Sequence, residues 1–307
     1  MEARYGISFE EVMVRLHLSV MKEEVIRFLD PKPNENFIDC TVGEGGHALA
    51  LLERSKPSGK VLGIDADPII LERLKRKVEA ADYEKRLILV CDNFANLSEI
   101  VEKYSFKRVS GILFDLGLSS WHLEESGRGF SFLRNEPLDM RYNPENPLTA
   151  EAIVNFWSLR DIWTILRVYG QERFARRIAE EIVRSRPLKT TVDLVMAVER
   201  ATPSWYHRGR IHFATKTFQA LRIAVNNELE NFEKALPQAL NIMNEGGRLV
   251  VISFHSLEDR IVKNFLREKA KEGLVKILTK KPVRPTMKEV AENPRARSAR
   301  LRAALKL

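Results

Sequence analysis

The stretch Asp39-Cys40-Thr41-Val42-Gly43-Glu44-Gly45-Gly46-His47 joins a short apolar run, Phe37–Cys40, to a segment of helical periodicity, Gly43–Leu52. Glycines between a strand and a helix let the backbone take positive φ and let a ligand approach it closely. Two binding patterns fit the spacing. Gly43, Gly45 and Ala48 satisfy the dinucleotide fingerprint G-x-G-x-x-A. Asp39 followed at two-residue steps by Thr41, Gly43 and Gly45 fits a methyl-donor loop equally well.

Outward from this loop the same alternation repeats. Val61–Ile64 leads into Pro68–Ala80, where Ile69, Ile70, Leu74 and Val78 recur at helical spacing. Leu87–Val90 leads into Leu97–Tyr104, and Gly111–Phe114 forms a fourth run. Strands alternating with helices imply a parallel sheet, because parallel neighbours need a crossover. The spacing predicts a doubly wound α/β fold. A fifth strand, Arg248–Phe254, follows Glu245-Gly246-Gly247, read as a glycine stop to the preceding helix. It lies about 130 residues beyond the fourth, far more than a crossover needs. The excess holds irregular chain, Trp121–Thr149, then helices ending near Gly170, Arg186 and Ala201. The expectation is therefore a helical module inserted between strands four and five. A long helix over Ala214–Phe232 and another over Leu257–Glu272, with Ser256 and Asp259 at its cap, complete the pattern. Leu274–Thr279 and Ala299–Leu305 are expected to pair as an antiparallel edge.

The 307 residues carry 50 Lys and Arg against 42 Asp and Glu, a net +8, with 44% hydrophobic residues. That apolar content supports a sizeable core and excludes a mostly disordered chain. No apolar run approaches the roughly 18 residues of a membrane span. The opening residues lack a basic segment followed by an apolar one, so a secretion signal is not expected and a cytoplasmic location is. Cys40 and Cys91 fall on strands one and three, roughly 10 Å apart, too far to bridge. Neither they nor the six histidines have metal-ligand spacing, so no metal is expected. The positive balance favours an anionic partner such as nucleic acid. Nine Lys and Arg lie in residues 280–307, which read as a basic tail. A second cluster, Arg208, Arg210, His212, Lys216 and Arg222, lies where the insert rejoins the sheet. Of the four tryptophans, Trp121 and Trp205 fall in loops and suit stacking on unpaired bases, whereas Trp157 and Trp163 suit a small helical core.

In open α/β sheets ligands bind outside the carboxyl ends of the strands. Asp65 ends strand two, where a carboxylate accepts ribose hydroxyls in both nicotinamide and adenosylmethionine folds. Asp92 and Phe94, after strand three, are placed to meet an adenine amine and ring. Asp115 ends strand four in Asp115-Leu116-Gly117-Leu118-Ser119-Ser120. An aryl amine's lone pair is delocalised into its ring, and an acceptor for its N–H localises that pair for attack. Asp115 is thus a candidate catalytic residue, as is His255, a possible general base after strand five.

Several blocks in one order, from about His17 to Arg302, carry a resemblance. They are Gly43–His47, Asp115–Ser120, Arg128-Gly129-Phe130-Ser131-Phe132, Pro137-Leu138-Asp139-Met140-Arg141, Thr217–Arg222, Ile252–Arg260 and Asn293–Ser298. With them the sequence resembles the bacterial 16S rRNA cytosine-N4 methyltransferases, the MraW-type family. The resemblance implies a Rossmann-like class I methyltransferase sheet, with residues 1–128 and 211–307 binding S-adenosylmethionine. Residues 129–210 would form a helical domain that recognises substrate. It implies methylation of the N4 amine of a decoding-centre cytidine in 16S rRNA, with that rRNA, in the small ribosomal subunit, as partner. Donor contacts would come from Gly43, Gly45, Gly46, His47, Asp65, Asp92, Phe94, Asp115 and His122. Relatives commonly carry Pro-Gln where this chain has Trp121-His122. RNA contacts are expected from Arg208, Arg210, Lys216, Arg295 and Arg297. Two other readings compete: a nicotinamide-dependent oxidoreductase, and an RNA-binding ribosome factor without turnover.

Overall fold

A computed structural model describes residues 19–79, 83 and 85–307, so His17 lies outside the described residues. The chain divides into two units. The first runs up to residue 117 and resumes at 231–307; the second is 118–230.

The first unit opens with α1 (Lys22–Leu29), β1 (Asn36–Asp39), α2 (Gly46–Arg54), β2 (Val61–Asp65) and α3 (Pro68–Glu79). It continues with β3 (Leu87–Cys91), α4 (Leu97–Lys103) and β4 (Val109–Asp115). The second unit holds α5 (Ser120–Glu124), α6 (Ala150–Phe156), α7 (Leu159–Val168), α8 (Ala175–Arg184), α9 (Thr191–Ala201) and α10 (Thr215–Asn226). The chain returns through α11 (Glu228–Ile242) to β5 (Met243–Ser253), α12 (Ser256–Lys271), β6 (Val275–Ile277), α13 (Met287–Glu292) and β7 (Arg300–Lys306).

The seven strands form one sheet in the order β3-β2-β1-β4-β5-β7-β6. Pairing is parallel from β3 through β5, and β7 runs antiparallel to both β5 and β6. Buried runs such as Val61-Leu62-Gly63-Ile64 suit a sheet covered on both faces. One face packs Leu97, Ile100, Leu236, Leu240, Val262 and Leu266 from α4, α11 and α12. The other packs Val25, Leu29, Leu51, Leu52, Leu71 and Leu74 from α1, α2 and α3. This is the doubly wound, Rossmann-like sheet expected of a class I methyltransferase. The strand order reverses between β1 and β4, which makes the crevice at their carboxyl ends the natural binding place.

In the second unit the helices enclose their own core, including Ile153, Ile162, Leu166, Ile178, Leu194 and Leu221. Thr149, Ser158 and Thr190 cap α6, α7 and α9, each accepting a backbone N–H from the first turn.

Four boundaries differ from the sequence reading. The second unit extends beyond 129–210 because Ala214, Phe218, Leu221 and Val225 of α10 belong to the helical core. The helix over Ala214–Phe232 is interrupted at Asn227, which takes φ 50° and caps α10 in the left-handed region. Glu245-Gly246-Gly247 lies within β5, where the register against β4 shifts between Val109 and Gly111. The basic tail is no tail: its end forms β7, an interior strand of the sheet.

Candidate active site

Asp39 and Asp115 end the two strands on either side of the order reversal. Asp39 is 1% exposed; its Oδ1 accepts the Thr41 N–H at 3.2 Å. Its Oδ2 has no hydrogen-bond partner among the described residues. Burial pushes the Asp39 carboxyl up to about 6; the His47 ring and the Thr41 N–H oppose the rise, and the carboxylates of Asp115 and Asp65 add to it. His47, in the first turn of α2, is buried. Its Nε2 lies 3.4 Å from Asp115 Oδ2, within ion-pair reach, yet neither ring nitrogen makes an aligned hydrogen bond among the described residues. The Asp115 N–H donates to Thr41 Oγ1 at 2.7 Å, so the hydroxyl ties the loop after β1 to the end of β4. Sequence reasoning noted Thr41 only as a step in the loop.

Asp65 is bound to the same loop. Its Oδ2 accepts the Gly43 N–H at 3.0 Å and its Oδ1 accepts the Asp67 N–H at 2.9 Å. These two bonds hold the carboxylate at the end of β2, beside the glycine loop. Asp92 Oδ1 accepts from the Asn93 N–H at 2.6 Å and Asn96 Nδ2 at 2.9 Å, which shapes the turn after β3. Phe94 is half-buried and meets Phe114 edge to face at 5.6 Å, so the core holds the ring while part of it stays exposed.

The glycines divide by role. A Cβ on Gly43 (φ +49°) would meet the Thr41 carbonyl oxygen at 3.8 Å, an ordinary contact, so only its backbone conformation calls for glycine. A Cβ on Gly45 (φ +84°) would lie 2.4 Å from Leu74, and one on Gly46 would collide with Ser19. A side chain at either would have to displace its neighbour, and the positive φ of Gly45 favours glycine besides.

His255 is the N-cap of α12, the position the sequence reading gave to Ser256. Its Nδ1 accepts the Glu258 N–H at 3.5 Å, and Glu258 Oε2 accepts the His255 N–H at 3.2 Å. Asp259, read as a capping residue, instead binds Arg300 and Arg302 of β7.

In the second unit His122 is buried, with Nδ1 2.9 Å from Ser119 Oγ and its ring among Trp121, Phe130 and Tyr142. Trp121 is 6% exposed beneath the Arg128 guanidinium, which removes it as a base-stacking surface. Trp157 and Trp163 pack against the helical core as expected, and Trp205 is 54% exposed. Arg208 and Arg210 are exposed; Lys216 donates to the Gln171 carbonyl at 3.1 Å. Arg222 leaves the basic cluster, because Glu228 holds it through two hydrogen bonds. In the first unit Arg295 and Arg297 lie on the turn Pro294–Ser298, half-buried and exposed respectively. Cys40 is buried and Cys91 exposed, both as free thiols. No helix among the described residues is long and apolar enough to cross a membrane.

The model of the MraW methylase family matches residues 14–307. The chain belongs to the MraW methylase family. This membership decides the glycine loop for the methyl-donor reading over the dinucleotide one. Among its relatives, proteins called ribosomal RNA small subunit methyltransferase H are 46% identical in Dehalococcoides mccartyi, over 94% of this chain and 86% of that protein. The same-named protein of Thermotoga neapolitana is 49% identical, over 94% of this chain and 95% of its own. That of Thermomicrobium roseum is 44% identical over 99% and 98%.

Proposed function

We propose that this methylase transfers a methyl group from S-adenosylmethionine to the N4 amine of a decoding-centre cytidine in 16S rRNA, in the cytoplasm. The observation that carries this reading is Asp115, a half-buried carboxylate beside the glycine loop, its backbone fixed by Thr41 and its Oδ2 facing His47. The names of the relatives support ribosomal RNA as substrate. The donor fits the residues present: a buried Asp39 oxygen lacks a partner, and a cationic amino group would supply one.

When bound, the donor supplies an electrophilic methyl on a sulfonium. Asp39 would hold its ammonium, Asp65 its ribose hydroxyls and Phe94 its adenine, with Asp92 at the adenine amine. Asp115 accepts an N–H of the target amine, aiming the nitrogen lone pair outward and holding the proton that departs. Orientation of this kind accounts for about 7–11 kcal/mol of a barrier. The base must leave its stack to present its amine.

The test is incubation of the protein with labelled donor and small-subunit particles from cells lacking it, followed by mapping of methylated cytidines. Asp115→Asn is expected to lower turnover about 10²-fold, as loss of one oriented polar contact does elsewhere. Calorimetry should show donor affinity largely kept. Absence of label on cytidine N4 overturns the reading, and full turnover in Asp115→Asn overturns the role of that carboxylate.

A further inference from the structure

A large aromatic side chain stands on the surface of the second unit and is held there. Trp205 is 54% exposed. Its neighbour Tyr206 donates its hydroxyl to Glu172, at 3.0 Å and 2.8 Å from the two carboxylate oxygens, and Glu172 is 5% exposed. His207 Nε2 lies 2.8 Å from Thr202 Oγ1. These bonds fix the turn Tyr206–Arg208 against the segment that precedes α8 and against Thr202, which follows α9. Phe174 meets both Trp205 and Tyr206 edge to face, at 5.8 Å and 5.1 Å. The Arg173 guanidinium lies over the indole at 5.2 Å and over the Phe174 ring at 5.7 Å.

The surroundings are not those of an unfinished apolar core. Residues 171–177 and 203–211 contain five arginines and one acid, Glu172, which is buried and bonded to Tyr206. A guanidinium over one aromatic surface, with further arginines beside it, matches the chemistry of an unpaired base flanked by phosphates. A protein partner seated here would need an acidic surface to match these arginines, whereas a nucleic-acid strand supplies that charge along its whole length.

We propose that Trp205, braced by Arg173 and Phe174, is a stacking platform for one unpaired base of an RNA strand whose phosphates lie on Arg208 and Arg210. The proposal rests on the reading of RNA as substrate and adds the place where a base outside the reaction is gripped. Fixing the turn in advance removes the ordering cost that a mobile loop would bring to binding. Stacking of this type tolerates any base, so the platform sets register and affinity rather than sequence.

The experiment uses the full-length protein and a fluorescent single-stranded RNA of small-subunit rRNA sequence, together with versions carrying one abasic sugar at successive positions. Trp205→Ala is expected to weaken binding about tenfold, and Trp205→Phe to keep most of it. One abasic RNA should bind wild type as weakly as the intact strand binds Trp205→Ala, with no further loss when the two are combined. Donor affinity by calorimetry and the melting temperature should be unchanged, which separates the effect from misfolding. Equal RNA affinity of wild type and Trp205→Ala removes the platform alone. A wild type that binds none of the strands removes the RNA reading and the platform with it. If Trp205→Ala loses methylation of assembled particles while strand binding stays intact, Trp205 faces a ribosomal protein and the proposal is wrong.

Discussion

Asp39 carries a stability penalty that its chemistry explains. Its ordinary carboxyl value of 3.8 rises to about 6 in the folded chain, with burial as the main cause. Below the lower value both folded and unfolded chains hold the proton. Between the two, the folded chain keeps a proton that the unfolded chain has released, so stability falls as pH rises, and above the upper value the full penalty stands. A shift of that size corresponds to about 3 kcal/mol. Asp39→Asn is therefore expected to raise the melting temperature of the donor-free protein near neutral pH, to flatten its pH dependence in that window, and to weaken donor binding. Thermal melts across pH and calorimetry read all three; an undiminished slope in the variant would assign the titration to another group. Asp39, Asp65 and Asp115 were legible in the sequence because a carboxylate directly after an apolar run must end a strand. Thr41 was not, since its bond to Asp115 exists only once β1 and β4 are neighbours, and strand order is not written in local pattern. Trp121 misled because the segment read as a loop forms the short helix α5, which buries the indole beneath Arg128.

At the scale of elements, the alternation of apolar runs and helical periodicity gave the sheet, and what it missed was decided by single polar contacts. The apolar spacing from Phe218 to Phe232 continues unbroken across Asn227, so periodicity alone hides the break; the Asn226-Asn227 pair was the available signal. The carboxyl end of the chain read as solvated because its charge is high. In the fold Arg300 and Arg302 reach Asp259 of α12, with Arg302 8% exposed and its Nε 2.7 Å from Oδ1. Desolvation opposes ionisation of Asp259, but the hydrogen bond and charge of Arg302, with Arg300 beside it, hold the carboxyl below its usual value. The stabilisation is thus present above the ordinary carboxyl range and lost as pH falls through the lowered value. Asp259→Asn is expected to destabilise the protein by about 3–5 kcal/mol, since it leaves a buried guanidinium without its counter-ion. Replacing Asp259 and Arg302 together by Leu and Met should recover most of that loss in denaturant titrations. A single variant as stable as wild type would show that β7 does not depend on the pair.

Over the whole molecule the count of 50 Lys and Arg overstates what is free to meet RNA. Arg222, Arg300 and Arg302 are held by carboxylates, and Lys306 donates to the Met243 carbonyl. The exposed cations proposed for phosphates in the second unit are Arg208 and Arg210; Lys216 is held by the Gln171 carbonyl as Lys306 is by that of Met243. Two contacts on a single strand predict that the logarithm of affinity falls with the logarithm of salt at a slope of about −1.4 or steeper. Arg208→Gln with Arg210→Gln should reduce that slope by about 1.4. Trp205→Ala should lower affinity at every salt concentration and leave the slope in place, because stacking releases no counter-ions. Fluorescence anisotropy across a salt series separates the two kinds of contact in one experiment. A flat dependence in the wild type would mean that the backbone of the RNA does not touch these arginines, and a slope changed by Trp205→Ala would mean that the indole orders the phosphate contacts instead of adding to them.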